Sequence, residues 1–139
     1  MSLQELSLQK LIGKGYVDFW NTRKRYRVCK GSRGSKKSKT TALNMIYRLY
    51  QYPESNGLCV RRYSNTLRDS VFSDLKWAIH KMKLDAYFEC TVSPMQIIRK
   101  STGQKILFRG LDDGLKITSI SVDKGYLCFV WIEEAYEIR

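Results

Sequence analysis

Acidic residues are scarce in this chain: 13 Asp and Glu stand against 25 Lys and Arg, a formal net charge of +12. Between Phe19 and Pro53 there are none. The same stretch crowds together Arg23, Lys24, Arg25, Arg27, Lys30, Arg33, Lys36, Lys37 and Lys39. A block of one sign either meets an anion or stays hydrated, and phosphate is the obvious anion; composition alone does not separate a nucleotide from a nucleic acid. Long apolar runs are also lacking. The longest, Tyr126–Ile132, falls far short of the roughly 20 residues that span a bilayer, so no membrane partner is expected. The start, Met1-Ser-Leu-Gln-Glu5, has neither the basic nor the apolar segment of a secretory signal, and a cytosolic location follows by default. His80 is the only histidine and no two cysteines are spaced C-x-x-C, which excludes a structural zinc site. Cys29, Cys59, Cys90 and Cys128 each lie in an apolar, strand-like run and read as reduced, small hydrophobes.

What is present suits one folded domain, with 139 residues of which 43% are hydrophobic. Leu3, Leu6, Leu8, Leu11 and Ile12 predict a short amphipathic helix, and an aromatic, basic link follows from Tyr16. Arg25–Lys30 reads as a first strand, Gly31–Ser38 as a loop, and Lys39–Tyr50 as a helix with Leu43, Ile46, Tyr47 and Tyr50 on one face. Leu58–Arg62 predicts a second strand. A longer helix over Thr66–Lys83 presents Leu67, Val71, Leu75, Ala78, Ile79 and Met82. Met95–Lys100 and Lys105–Arg109 flank Ser101–Gln104 as a β-hairpin, and Asp112-Asp-Gly114 marks a turn. Tyr126–Ile132 is apolar throughout, as expected of a strand buried on both faces. The alternation predicts an α/β domain with a mainly parallel sheet flanked by helices.

The loop between the first strand and its helix is Gly31-Ser-Arg-Gly-Ser-Lys-Lys-Ser38. Against the phosphate-loop pattern G-x-x-x-x-G-K-[ST] it supplies Gly31, Lys37 and Ser38, but has Lys36 where the second glycine belongs. Small residues let backbone N–H groups turn toward phosphate oxygens at the positive end of a helix. Gly31, Ser32, Arg33, Gly34, Ser35, Lys36, Lys37, Ser38 and Lys39 are therefore candidate contacts for ATP. Lys37 is placed to reach the β- and γ-phosphates, and the Ser38 hydroxyl to ligate Mg2+. The lysine in place of glycine occupies a position whose backbone conformation is costly for a side chain.

At the far end, Leu127–Glu134 has the form of a Walker B element, a hydrophobic strand ending in two acids. Glu133 would support the metal; Glu134 would polarise the attacking water as general base. Alternatively, the pair merely begins a surface helix, whose N-terminus favours acids. Ser38 and Glu133 are 95 positions apart, which leaves room for an inserted strand and its helix. That spacing suits the additional-strand branch of phosphate-loop NTPases.

Four segments in order, Lys30–Ala42, Arg68–Phe72, Phe108–Asp113 and Val130–Ala135, resemble landmarks of the large terminase subunits of tailed phages. The likeness is to the type common in phages and prophages of Gram-positive bacteria, and it covers the chain from about Tyr16 onward. In that family the loop commonly reads G-G-R-G-S-G-K-S, so this sequence departs at Ser32 and Lys36. Lys37, Lys36 and Arg33 all stay open as the principal phosphate-binding side chain. The resemblance implies an ATPase motor that drives double-stranded DNA into a procapsid, with a portal protein and a small terminase subunit as partners and a homo-oligomeric ring when full length. It places that machine in the host bacterial cytoplasm, transiently at the portal. It also implies that residues 1–139 are the N-terminal portion of the ATPase domain, incomplete at its C-terminus and without the nuclease domain. Arg61, Arg62, Arg68 and Arg109 are candidates for an arginine that completes a neighbouring site, and Phe19, Trp20 and Arg23 for adenine contacts. Two rival readings remain: a basic nucleic-acid-binding module without hydrolysis, and an inactive fragment of the fold.

Overall fold

The computed structural model describes residues 11–12, 15–30, 36–114 and 118–138. The expected amino-terminal helix Leu3–Ile12 lies almost wholly outside them. Helix α1 (Val17–Asn21) is a single short element in the aromatic link, followed by α2 (Lys37–Gln51), β1 (Ser55–Arg61), α3 (Ser73–Lys81), β2 (Phe88–Val92), β3 (Met95–Arg99), β4 (Lys105–Gly110) and β5 (Tyr126–Ile132). The five strands form one sheet in the order β2-β3-β4-β1-β5. Strand β1 runs parallel to both β4 and β5, whereas β2/β3 and β3/β4 are antiparallel. The α/β expectation holds, but the sheet is mixed rather than mainly parallel. The β3–β4 hairpin forms as its sequence pattern predicts, and β2, the apolar run around Cys90, extends it to the edge.

The core lies between one face of this sheet and α2 and α3. Leu43, Ile46 and Leu49 of α2 and Leu75, Ala78 and Ile79 of α3 pack with Cys59, Ile97, Ile106, Phe108 and Trp131. Side chains alternate along a strand, so Leu58, Val60 and Leu107 turn to the opposite face, where Ile120 and Val122 cover them. Fully burying each Leu or Ile contributes roughly 1.5–3 kcal/mol, so both helices support the sheet. The long predicted helix is interrupted. Ser64–Thr66 is a 3-10 turn and Arg68–Phe72 a π-helical turn, with Phe72 N–H donating to Leu67 C=O at 3.1 Å. Its predicted apolar face is nevertheless buried at Leu67, Val71, Leu75, Ala78, Ile79 and Met82.

Two expectations fail. Among the described residues Arg25–Lys30 joins no ladder; Tyr26 and Val28 are 77% and 85% exposed, so its alternation of residue types finds no neighbouring strand there. Strand β5 has the predicted bounds, but among the described residues it is an edge strand paired with β1 alone, and Trp131 is its one buried residue. Val130 and Ile132 remain 56% and 51% exposed. An apolar run predicts a strand; how many neighbours cover it is decided by topology. The pairing skips Cys128, a bulge that leaves this thiol exposed while Cys59 is buried. All four cysteines are free thiols.

Candidate functional site

Strands β4, β1 and β5 run in one direction, and their carboxyl ends lie on one edge, where open α/β sheets bind ligands. Arg109 is the penultimate residue of β4, Arg61 ends β1 and Arg62 follows it, and Glu133 and Glu134 follow β5. Asp112 fastens two of these ends together: its carboxylate accepts from the Ser64 N–H at 3.0 Å and the Ser64 hydroxyl at 3.3 Å. Gly110 sits so close to Ser64 and Asp112 that a Cβ there would collide with both. Arg68 opens the π-helical turn.

The amino end of α2 meets this edge. Ser38 Oγ donates to Glu133 Oε1 at 2.8 Å, joining residues 95 positions apart. Glu133 is buried, its N–H donates to Val60 C=O at 3.1 Å, and its second oxygen, Oε2, is buried with no hydrogen-bond partner. Burial raises the Glu133 carboxyl above the usual carboxylate range; the Ser38 hydrogen bond and the Arg61 charge oppose this, while Asp74 and Glu134 add to it. A buried carboxylate with an orphaned oxygen beside a hydroxyl is chemistry that suits a cation. Among the described residues no three His, Cys, Asp or Glu form a metal cage. Mg2+ does not require one, because it commonly takes one or two protein oxygens together with waters and substrate phosphates. Ser38 and Glu133 therefore fit that ion.

Lys36 is the N-cap of α2 and adopts a left-handed conformation, φ 64° and ψ 15°, with no side-chain capping bond. This is the position where the phosphate-loop pattern has glycine, and the backbone explains the preference. Helix α2 carries no acid in its first turn, so no side-chain charge there offsets the positive end of its dipole, which favours an anion. Lys37 begins the helix, its carbonyl accepting from Thr41 Oγ1 at 2.7 Å. Glu134 is left-handed as well, at φ 54° and ψ 47°, and ends the extended chain of β5 before the single 3-10 turn Ala135–Glu137. Two strained non-glycine residues thus flank the Ser38–Glu133 contact. Gly31, Ser32, Arg33, Gly34 and Ser35 lie outside the described residues.

Lys39 is engaged by α3. Its ammonium pairs with Asp74 Oδ1 at 2.9 Å and lies 4.7 Å from the centroid of the Trp77 ring. Sequence reasoning missed both partners, since an ordinary acid and aromatic on a second helix carry no motif. The upstream aromatics are also engaged. Trp20 packs at a tilt against Tyr47 of α2, with centroids 5.4 Å apart, and the Arg27 guanidinium covers Phe19 at 5.1 Å. Arg23 is exposed.

A family model described as phage terminase large subunit matches residues 23–139. The chain belongs to the phage terminase large-subunit family. It is 33% identical over 141 residues to the terminase large subunit of Bacillus phage SPP1, covering 99% of this chain and 33% of that protein. It is 30% identical over 131 residues to the PBSX phage terminase large subunit of Bacillus subtilis (strain 168), covering 94% of this chain and 29% of that protein. The chain thus spans about a third of the length of these relatives. For a terminase-family chain, the matched region includes the loop, the strand β5 and both acids that follow it.

Proposed function

We propose that this chain carries the nucleotide site of a viral DNA-packaging motor, binding and hydrolysing ATP with magnesium to drive double-stranded DNA into a procapsid. The observation that carries the proposal is the 2.8 Å contact between Ser38 at the amino end of α2 and Glu133 at the tip of β5. A phosphate loop and a Walker B acid act on one nucleotide only if folding brings them together. Gly31–Lys36 would wrap the phosphates with backbone N–H groups, and Lys37 would neutralise charge on the β- and γ-phosphates. Ser38 and Glu133 would hold Mg2+, which when bound supplies screening of the phosphate charge. Glu134, at the strand tip beyond Glu133, would orient and deprotonate the attacking water. The portal protein, the small terminase subunit and a ring of copies are the partners this reading implies, in the bacterial cytoplasm and at the procapsid portal.

Equilibrium binding of magnesium–ATP to the folded chain, beside Lys37→Ala, tests the site. Saturable binding that the substitution abolishes is the expected result. A folded chain that binds no nucleotide, or a Lys37→Ala chain that binds as the parent does, overturns it. A second reading, a nucleic-acid-binding surface, is favoured by the exposed run Arg23, Lys24, Arg25 and Tyr26, with the Arg25 guanidinium 5.5 Å from the Tyr26 ring. Polynucleotide affinity that falls steeply with salt and ignores both Lys37→Ala and Glu134→Ala would support it.

A further inference from the structure

We propose that Lys39, Asp74 and Trp77 form a tether that fixes the rotational setting of the first turn of α2, making Asp74 and Trp77 positioning residues for the Ser38–Glu133 magnesium site. The inference rests on the nucleotide-site reading and deepens it. Successive residues of a helix point about 100° apart, so the direction of Lys39 determines that of Ser38. With Lys39 docked against α3, Ser38 faces the tip of β5 and its hydroxyl reaches Glu133 at 2.8 Å. The N-cap makes no side-chain bond and sits in a left-handed conformation, so the dock adds to the buried Thr40 in holding this first turn.

The tether is built to hold. Lys39 Nζ meets Asp74 Oδ1 at 2.9 Å and also lies over the Trp77 ring, 4.7 Å from its centroid, so one ammonium is gripped from two sides. Asp74 is mostly covered, at 17% side-chain exposure, and lies in the first turn of α3. Residues 74 and 77 are one turn apart and share a helix face. Asp74 also places a negative charge within reach of Glu133. Pairing with Lys39 offsets that charge, so the tether limits repulsion at the carboxylate it orients. Asp74 and Trp77 act through Lys39, which both contact.

The test compares Asp74→Asn, Lys39→Met and Asp74→Glu in the whole chain, with two titrants: ATP with excess Mg2+, and ATP in EDTA. The first two substitutions are expected to weaken magnesium–ATP binding on the order of ten-fold, the scale of supporting shells around metal ligands. For Asp74→Asn, binding of ATP in EDTA should stay the same, and Asp74→Glu should keep most of the parent affinity for magnesium–ATP. Equal weakening with both titrants would make Lys39 a direct phosphate contact and overturn the tether, as would no weakening with either. Hydrogen exchange without nucleotide provides the second measurement: Asp74→Asn should lower amide protection in residues 38–42 and spare 45–51. Unchanged protection also overturns the proposal. If the parent chain binds no nucleotide, the site reading has failed, and exchange alone then decides the tether.

Discussion

The two ends of the parallel strands are built in opposite ways. At the amino ends, buried amides knit the chain together. Gln104 Nε2 lies 2.8, 2.9 and 2.7 Å from the carbonyls of Leu49, Tyr52 and Ser55, while its Oε1 accepts from Arg99 and Thr102. Asn56 donates to the carbonyls of Lys124 and Tyr126 and accepts from the Lys105 N–H, joining the starts of β1, β4 and β5. At the carboxyl ends, Glu133 Oε2 and Arg109 Nε are buried without hydrogen bonds, and Lys36 and Glu134 hold left-handed conformations. Satisfied polar groups specify a fold, whereas orphaned ones and strained backbone persist only where the surroundings impose them. Orphaned atoms are not confined to one end, since Arg48 Nε in the last turn of α2 is buried without a partner as well; the carboxyl end sets its orphaned groups beside two left-handed residues, a stored cost that a ligand can relieve.

The comparison breaks most visibly at Gln104. Gln104→Ala leaves the buried carbonyls of Leu49 and Ser55 without that donor, and each such loss costs about 1–3 kcal/mol. A fall in unfolding free energy of roughly 3 kcal/mol is expected in urea, with nucleotide affinity of the folded fraction unchanged. A loss below about 1 kcal/mol would mean the network is supported by other contacts.

Glu133 should respond in the opposite direction. Its carboxyl is raised by burial, so the folded chain keeps this proton to a higher pH than the unfolded chain does. The stability it contributes is fully present below the unfolded carboxylate range and is lost as pH rises through the folded value. In EDTA at neutral pH, Glu133→Gln should therefore raise stability by about 1 kcal/mol, because a neutral amide replaces a buried charge. Under mildly acidic conditions the advantage should vanish, and magnesium–ATP binding should be lost at every pH. A substitution that lowers stability at neutral pH would place Glu133 among the structural groups of the amino end.

How far this division could be read in advance differs between elements. The bounds of β5, the hairpin and the buried face Leu67–Met82 were legible because apolar periodicity reports local structure directly. The edge position of β5 was not, nor was the missing ladder at Arg25–Lys30, since both depend on which strands become neighbours. The approach of Ser38 to Glu133 was foreshadowed by two motifs with known slots in a fold. Gln104, Asp74 and Trp77 were invisible, because a single amide, acid or aromatic acquires its role only when a second element packs against it. Lys36 lies between these cases: the glycine expected by pattern announced a backbone need, and the left-handed angle meets it.

Lys36 gives the finest test of the comparison, because a second residue serves as its control. Lys83 is also left-handed, φ 58°, but it closes the carboxyl end of α3, with its N–H donating to His80 C=O and the Leu84 N–H to Ile79 C=O. That is an ordinary helix ending, remote from the proposed chemistry. A side chain in the left-handed region costs about 1–2 kcal/mol, and glycine returns part of the gain through its freer unfolded chain. Lys36→Gly and Lys83→Gly should each stabilise by about 0.5–1 kcal/mol in thermal unfolding. Only Lys36→Gly should alter ATP binding, and its direction is informative. Tighter binding means that the backbone was the limiting feature and Lys37 is the principal phosphate ligand. Weaker binding means that the Lys36 ammonium, in the place of a glycine, has taken over part of the phosphate contact.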